Sequence, residues 1–207
     1  MPVTLILTRN PLKTFVHRTW DDRVNRMVDQ SGRWGELIAV KGPKVTSVRL
    51  SSKPDSTNKN GSKAIPIGNG TVQLSTTGEG EFSEVKRFTS IERFKADSGA
   101  GYYVQLHPKP DPYWITHEVG NSAVKHLRPG HDGQCLRVHG GKRGPEQGIL
   151  IHEAPHVGWV IGCISPRPLN NFTIAFHNNS GNPSAQAMKE LFGFVGADRA
   201  DFFVMDW

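Results

Sequence analysis

The stretch GILIHEAPHVGWVIGCI, residues 148–164, contains a histidine and a cysteine that could act together. The run GILIH is almost continuously apolar, which predicts a buried strand that ends at His152. The segment EAPHVGWVI then leads to Cys163, and a loop of this length can fold back towards the strand. Gly162 allows the backbone to approach a substrate closely. The stretch therefore predicts a thiol and an imidazole that meet at the edge of a sheet.

The other segments of the chain favour short strands over helices. Strand-like composition occurs at residues 3–8, 35–40, 44–50, 64–74, 101–107, 134–140 and 201–207. Residues 20–30 have helix-like apolar spacing, so we expect a short helix there. One clear helix is predicted after Asn182, which can cap it, and Pro183, which suits its first turn. Its predicted apolar face consists of Met188, Leu191, Phe192 and Val195. These patterns predict a mainly β fold, a sandwich or barrel with a few short helices.

Composition limits the partners of the protein. The net charge of +6 favours anionic partners, but the basic residues are scattered and form no nucleic-acid motif. No apolar run reaches the roughly 18 residues of a membrane span. The first residues lack a basic region before a long apolar stretch, so they do not resemble a signal peptide. We therefore expect no nucleic-acid partner, no membrane span and synthesis in the cytoplasm without a Sec signal.

The two cysteines, Cys135 and Cys163, are too few for a disulfide framework. They could form one disulfide in an oxidising compartment, or remain two thiols with different roles. In residues 134–140 a period of two places Leu136 and Val138 on one face and Cys135 and His139 on the other.

Residues 148–164 resemble the active-site segment of the L,D-transpeptidase-like cysteine enzymes, in which a strand-end histidine precedes a loop and then Gly-Cys-Ile or Gly-Cys-Val. The chain is most similar to short-loop relatives associated with phages and type VI secretion, since IPIGNGT at residues 65–71 resembles a further element of those relatives, as does GELIAV at residues 35–40. The resemblance implies a catalytic domain over residues 1–169 with a mobile loop near residues 51–63. Residues 170–207 are expected to form a helix-strand extension packed on the same domain.

The resemblance also implies the chemistry. Cys163 would be the nucleophile and His152 the base, with backbone N–H groups near Gly162 as oxyanion donors. The substrates would be peptidoglycan stem peptides, and no metal or cofactor is expected. The protein would act as an antibacterial effector, delivered to the periplasm of target bacteria by a secretion-machine carrier and neutralised by an immunity protein.

Four further residues are candidates for substrate binding. Arg167 could hold a carboxylate, because a guanidinium binds carboxylates bidentately, or it could be a solvated arginine. His156 could orient a substrate or be a solvated loop residue, and Trp159 could be a substrate platform or a packing anchor. His139 could support the site from its strand or be an exposed histidine.

Two other functions fit the same residues. His152, His156 and Cys163 could bind zinc in a loop, although Pro155 between the histidines argues against a helical site. Alternatively, the protein could be a structural module of a phage or secretion apparatus, in which Cys163 is a small buried hydrophobic residue.

Overall fold

The fold comes from a computed structural model of the chain. It describes residues 1–207 except 22–24, 53–61, 69, 96–105, 127–131, 142–147, 161 and 176–181. The strands are β1 Val3–Asp21, β2 Arg26–Lys41, β3 Val45–Ser51, β4 Ser62–Ile67, β5 Gly70–Thr76, β6 Glu84–Lys95, β7 Tyr113–Glu118, β8 Cys135–His139, β9 Leu150–Ile151, β10 Ile164–Pro168 and β11 Ala200–Asp206. The helices are α1 Ser122–Lys125 and α2 Pro183–Val195, and Val157–Trp159 form a single 3₁₀ turn.

Eight strands close into a barrel in the order β1-β11-β7-β8-β9-β10-β6-β2. Most neighbours are antiparallel, but β1 runs parallel to β11 and β9 runs parallel to β10. The prediction of a mainly β fold is confirmed. The parallel pair β9 and β10 determines the site, because it brings residues 150–152 beside residues 163–165.

Alternate side chains of the barrel strands form one apolar core. Leu5, Leu37, Leu136 and Ile164 belong to it and are all fully buried. Burying one such side chain contributes about 1.5–3 kcal/mol relative to leaving it exposed. Leu136 and Val138 share this core, whereas Cys135 lies in a different apolar cluster. The two-residue alternation predicted for residues 134–140 is therefore correct for these three positions.

Helix α2 packs against the barrel core through its predicted apolar face. Met188, Leu191 and Val195 are buried in the core cluster, and Phe192 packs against it. The side chain of Asn182 accepts a hydrogen bond from the backbone N–H of Ser184 at 3.0 Å, as expected of an N-cap. No helix in the described parts of the chain is long and apolar enough to cross a membrane.

A small sheet, in the order β3-β5-β4, covers the outer face of β1, β2 and β11. Val72 and Leu74 of β5 pack there against Ile6, Ile38 and Phe203 of the barrel. The segment predicted as one interrupted strand at residues 64–74 is thus two antiparallel strands, with Ile67 paired to Gly70 across the turn.

The helix predicted over residues 20–30 is wrong. This region is the outer part of a long hairpin, in which Asp21 pairs with Arg26 and Trp20 with Met27. Two of the apolar residues that indicated a helix are largely exposed, Trp20 at 52% and Met27 at 46%. Cross-strand pairing satisfies the backbone of this arm instead.

The predicted loop near residues 51–63 lies mostly outside the described residues, as do residues 101–105 of a predicted strand. Leu106 and His107, at the end of that predicted strand, are not in a strand.

Residues 170–207 supply α2 and β11. Strand β11 is itself a barrel strand, placed between β1 and β7.

Candidate active site

The predicted catalytic residues lie next to two adjacent parallel strands: His152 directly follows β9, and Cys163 directly precedes β10. Ile151 of β9 pairs with Ile164 of β10, and the backbone N–H of His152 continues the ladder by donating to the Ile164 carbonyl at 3.0 Å. Both isoleucines face the barrel core, whereas Leu150 and Cys163 belong to a cluster on the opposite face. Because side chains alternate along a strand, His152 follows Leu150 onto the face that carries Cys163.

The ring of His152 is oriented by a backbone carbonyl. His152 is buried, and its Nδ1 lies 2.6 Å from the carbonyl oxygen of Glu153. A carbonyl oxygen can only accept a hydrogen bond, so Nδ1 carries a proton. In the neutral ring the lone pair is then on Nε2, which is the form of imidazole that can act as a base. Sequence reasoning missed this contribution of Glu153, because it comes from the backbone.

Cys163 is buried and protonated. Its side chain is 8% exposed, and its Sγ donates to the carbonyl oxygen of Gly148 at 3.7 Å. Burial raises the pKa of the thiol to about 11, against smaller opposing effects from a backbone hydrogen bond at Leu150 and from the charge of Arg137. A preformed thiolate is therefore unfavourable at neutral pH. Reaction at this sulfur needs a base that removes the proton during the attack.

Gly162 turns the chain from the loop into β10. Its φ of 74° lies in the left-handed region, which glycine adopts without a steric penalty. A side chain at this position would strain the turn that presents Cys163. The backbone conformation therefore requires glycine at position 162.

Arg167 is wholly buried, so neither of the roles considered for it, carboxylate binding or solvation, suits its position. Its Nη1 donates to the carbonyl of Ala154 at 3.2 Å, and burial lowers the pKa of the guanidinium to about 9. The backbone N–H of Ala154 donates in turn to Ser184 Oγ at 3.0 Å. These contacts attach the segment after His152 to β10 and α2.

His156 and Trp159 contact each other within the loop. Trp159 Nε1 lies 3.0 Å from His156 Nε2, and the backbone N–H of Gly158 lies 3.1 Å from His156 Nδ1. A neutral imidazole has one acceptor nitrogen, so the ring can accept from only one of these donors at a time. Burial, together with His17 and Arg167, lowers the pKa of His156 to about 4. Trp159 remains 42% exposed at the loop surface.

His139 lies on β8, two residues beyond Arg137. Its Nε2 is 2.7 Å from Thr116 Oγ1, and its ring stacks on Trp114 with centroids 5.7 Å apart. Burial and the charges of Arg137 and Arg199 lower its pKa. These contacts place His139 beside β7.

Arg137 is a site residue that sequence reasoning missed. It pairs with Leu150 of β9, and its charge lowers the pKa of Cys163. Glu118 holds its guanidinium bidentately at 2.7 and 2.9 Å, and the arginine side chain is 28% exposed. The period of two already put Arg137 on the face of Cys135. The alternation of residues 134–140 could not predict the register between β8 and β9.

The two thiols are free, and β9 separates their strands. Neighbouring strands lie about 4.8 Å apart, so β8 and β10 are about 9.6 Å apart. A disulfide needs Cα atoms within about 7 Å, and Cys135 therefore cannot reach Cys163 unless β9 moves. Among the described residues, no three His, Cys, Asp or Glu side chains come together as a metal site.

No protein-family model, curated protein or solved structure matches this chain. Functional assignment therefore depends on the site itself. Three features define that site: the parallel pair β9 and β10, the orientation of His152 by Glu153, and the buried thiol of Cys163.

The buried thiols predict a loss of stability at alkaline pH. Burial raises the pKa of Cys135 to about 12 and that of Cys163 to about 11, whereas an unfolded cysteine titrates near about 8.5. Above that lower value the folded state retains protons that the unfolded state loses. The contribution of the protonated thiols to the free energy of unfolding is complete below about pH 8.5. It declines as pH rises further, by up to about 1.4 kcal/mol per pH unit for each thiol.

Urea unfolding at pH 8 and pH 10 tests this expectation. The Cys135→Ala/Cys163→Ala double variant should lose less stability between these pH values than the unaltered protein. An identical loss in both proteins would contradict the assignment of the effect to the thiols.

Proposed function

We propose that this protein is a cysteine acyl-transferase or peptidase of the L,D-transpeptidase type, acting on peptidoglycan stem peptides. The observation that carries the proposal is the 2.6 Å contact between His152 Nδ1 and the Glu153 carbonyl, which leaves Nε2 as the basic nitrogen. His152 directly follows β9, and Cys163 directly precedes the neighbouring parallel strand β10. The substrate class follows from the resemblance of residues 148–164 to that enzyme family.

In the proposed reaction, His152 Nε2 removes the proton of Cys163 while the sulfur attacks a stem-peptide carbonyl. A C–S bond forms, and backbone N–H groups near Gly162 stabilise the oxyanion. The C–N bond then breaks, and the imidazolium returns its proton to the leaving amine. Water attacks the resulting thioester to give an acid, or a second amine attacks it to give a new amide; either step restores the thiol.

Proton removal in step with attack is favoured over a resting thiolate–imidazolium pair. The pKa of about 11 at Cys163 keeps the thiol protonated, and its hydrogen bond to Gly148 must break when sulfur attacks. Arg137 lowers the pKa of Cys163 and so assists the same step. Arg137 also supplies a half-buried cation near the thiol, held in place by Glu118.

Mass spectrometry of purified peptidoglycan after incubation with the protein tests the proposal. Hydrolysis should shorten stem peptides by their terminal residue, and transfer should join two stems or exchange that residue. Cys163→Ala is the matched control and should leave the fragments unchanged. An unchanged fragment profile with the unaltered, folded protein would reject the proposal.

The proposed role is that of an antibacterial effector that is made in the cytoplasm and acts in the periplasm of target bacteria, with an immunity protein as partner. Expression in the bacterial cytoplasm should be tolerated, because the substrate lies across the membrane. Fusion to a cleavable export signal should round or lyse the cells only when Cys163 is intact. Equal toxicity of the cytoplasmic form would indicate a different target.

A second candidate function is a non-catalytic structural module, and the burial of Cys163 favours it. A thiol that is 8% exposed and has a pKa of about 11 suits a small apolar core residue. Iodoacetamide labelling of Cys163 at pH 7.5, in a Cys135→Ala background, separates the two functions. If Cys163 and His152 form a catalytic pair, Cys163 should be labelled at least 10-fold faster in the protein that retains His152 than in the His152→Ala variant. Equally slow labelling would favour the structural module.

A further inference from the structure

A cavity lies at the base of the β1–β2 arm, beside Trp34. Its volume is about 80 Å³ and it opens to solvent, so it suits one ring of a longer ligand that continues over the surface. Neither Cys163 nor His152 lines it. The side chains that matter for its chemistry are Asn10, Trp34, Glu36, Asn170, Phe172 and Trp207.

Three aromatic rings form the apolar part of this cavity. Trp34 is buried in the wall, and the ring of Phe172 meets it edge-on with centroids 5.4 Å apart. Phe172 is nevertheless 50% exposed, so much of its ring lies open at the rim. Trp207 packs so closely on Gly70 that a Cβ at that glycine would lie 2.8 Å from the indole. The rings are therefore held in place by the fold while part of their surface is open.

The polar groups of the cavity are held in place as well. Asn10 Oδ1 accepts the backbone N–H of Leu12 at 2.9 Å, which fixes the orientation of its amide. Glu36 is anchored by Arg87, whose Nε lies 2.5 Å from the carboxylate. Amide and carboxylate groups thus line the same cavity as the aromatic rings, in fixed positions.

Asn170 adopts a left-handed backbone conformation with a φ of 64°, which is uncommon outside glycine. Its backbone N–H donates to the buried Thr89 Oγ1 at 2.8 Å. This hydrogen bond connects the turn to β6. Asn170 is thereby fixed in the lining of the cavity.

We propose that this cavity binds a saccharide chain. A pyranose ring offers C–H faces that pack on aromatic rings and hydroxyl groups that pair with amides and carboxylates. A wholly apolar ligand would desolvate Asn10, Glu36 and Asn170 without compensation. The two charged residues that line the cavity, Lys13 and Glu36, have opposite signs, so the lining favours an uncharged ligand. The saccharide site uses none of the proposed catalytic residues and does not depend on the proposed reaction.

Isothermal titration calorimetry with N,N′,N″-triacetylchitotriose tests the site. The unaltered protein should bind this probe saturably with one site per chain, and Cys163→Ala should bind it equally well. Phe172→Ala and Asn10→Ala should each weaken binding at least 10-fold while the circular dichroism spectrum stays native. Trp20→Ala removes another aromatic side chain of similar exposure, 52%, from the distant end of the arm, and it should bind as the unaltered protein does.

Absence of saturable binding would overturn the saccharide site, and so would an equal loss in Trp20→Ala. Displacement of the probe by acetyl-Lys-D-Ala-D-Ala would also overturn it, because the cavity would then be a peptide site. Probe binding together with an unchanged peptidoglycan profile would support the saccharide site and reject only the proposed enzyme. The two proposals therefore fail separately.

Discussion

Replacing Cys163 or His152 by alanine is expected to lower the rate of stem-peptide conversion by about 10³-fold or more, because each removal eliminates the thioester route. The two losses should not add, since the thiol and its base act as one unit. The fragments released from purified peptidoglycan over time give the rate, and circular dichroism with thermal melting shows whether the fold is retained.

Cys135→Ala is the matched control for this pair of variants. Cys135 is the other buried cysteine, and it lies on β8 with its own strongly raised pKa. We expect its removal to cost some stability and little activity per folded molecule. Full activity in well-folded Cys163→Ala would contradict the cysteine mechanism. Complete loss in well-folded Cys135→Ala would show that the chemistry involves both thiols.

Breaking the ion pair between Arg9 and Glu92 is expected to cause the largest loss of stability. Arg9 Nε and Nη2 lie 2.7 and 3.0 Å from the two carboxylate oxygens, and both side chains are almost fully buried. Arg9→Met would leave the carboxylate buried with only Arg33 at 3.4 Å among the contacts described. Removal of one partner of a buried pair costs about 3–5 kcal/mol. For a chain of this size, the melting temperature should fall by roughly 10 °C.

Two further variants separate loss of the pair from loss of packing. Arg9→Met/Glu92→Leu should recover part of the stability, because the buried carboxylate is removed together with Arg9. The recovery should be incomplete, because buried Arg33 loses its 3.4 Å contact with Glu92. Lys41→Met removes one member of the more exposed pair with Glu84, 3.6 Å apart, and should cost less than about 1 kcal/mol. An Arg9→Met protein as stable as Lys41→Met would show that the buried pair contributes no net stability.

The parts of the site that could be predicted were those with a local signal. An apolar run that stops at a histidine indicated a buried strand end, and the following loop was short enough to bring Cys163 back beside it. The cap at Asn182 and the apolar face of α2 are likewise contained within a few residues. Each of these predictions needed no knowledge of a distant strand.

The parts that could not be predicted depend on distant partners. Residues 20–30 show helix-like spacing, but they belong to a hairpin in which Trp20 and Met27 pair across the strands and stay largely exposed. Arginine is seldom buried, so nothing near Arg167 indicated that its side chain would be enclosed. The approach of Arg137 to the thiol follows from the registers of β8, β9 and β10 together, and those registers come from the closed barrel.

The parallel pairing of β1 with β11 has a consequence for synthesis on the ribosome. Thr4 of β1 pairs with Asp201 of β11 and Arg9 pairs with Asp206, so β1 is synthesised long before this partner. Until residue 206 has left the ribosome tunnel, the edges of β1 and β7 that face β11 lack that partner, and unpaired strand edges promote aggregation. We expect the folding rate to be limited by this long-range closure.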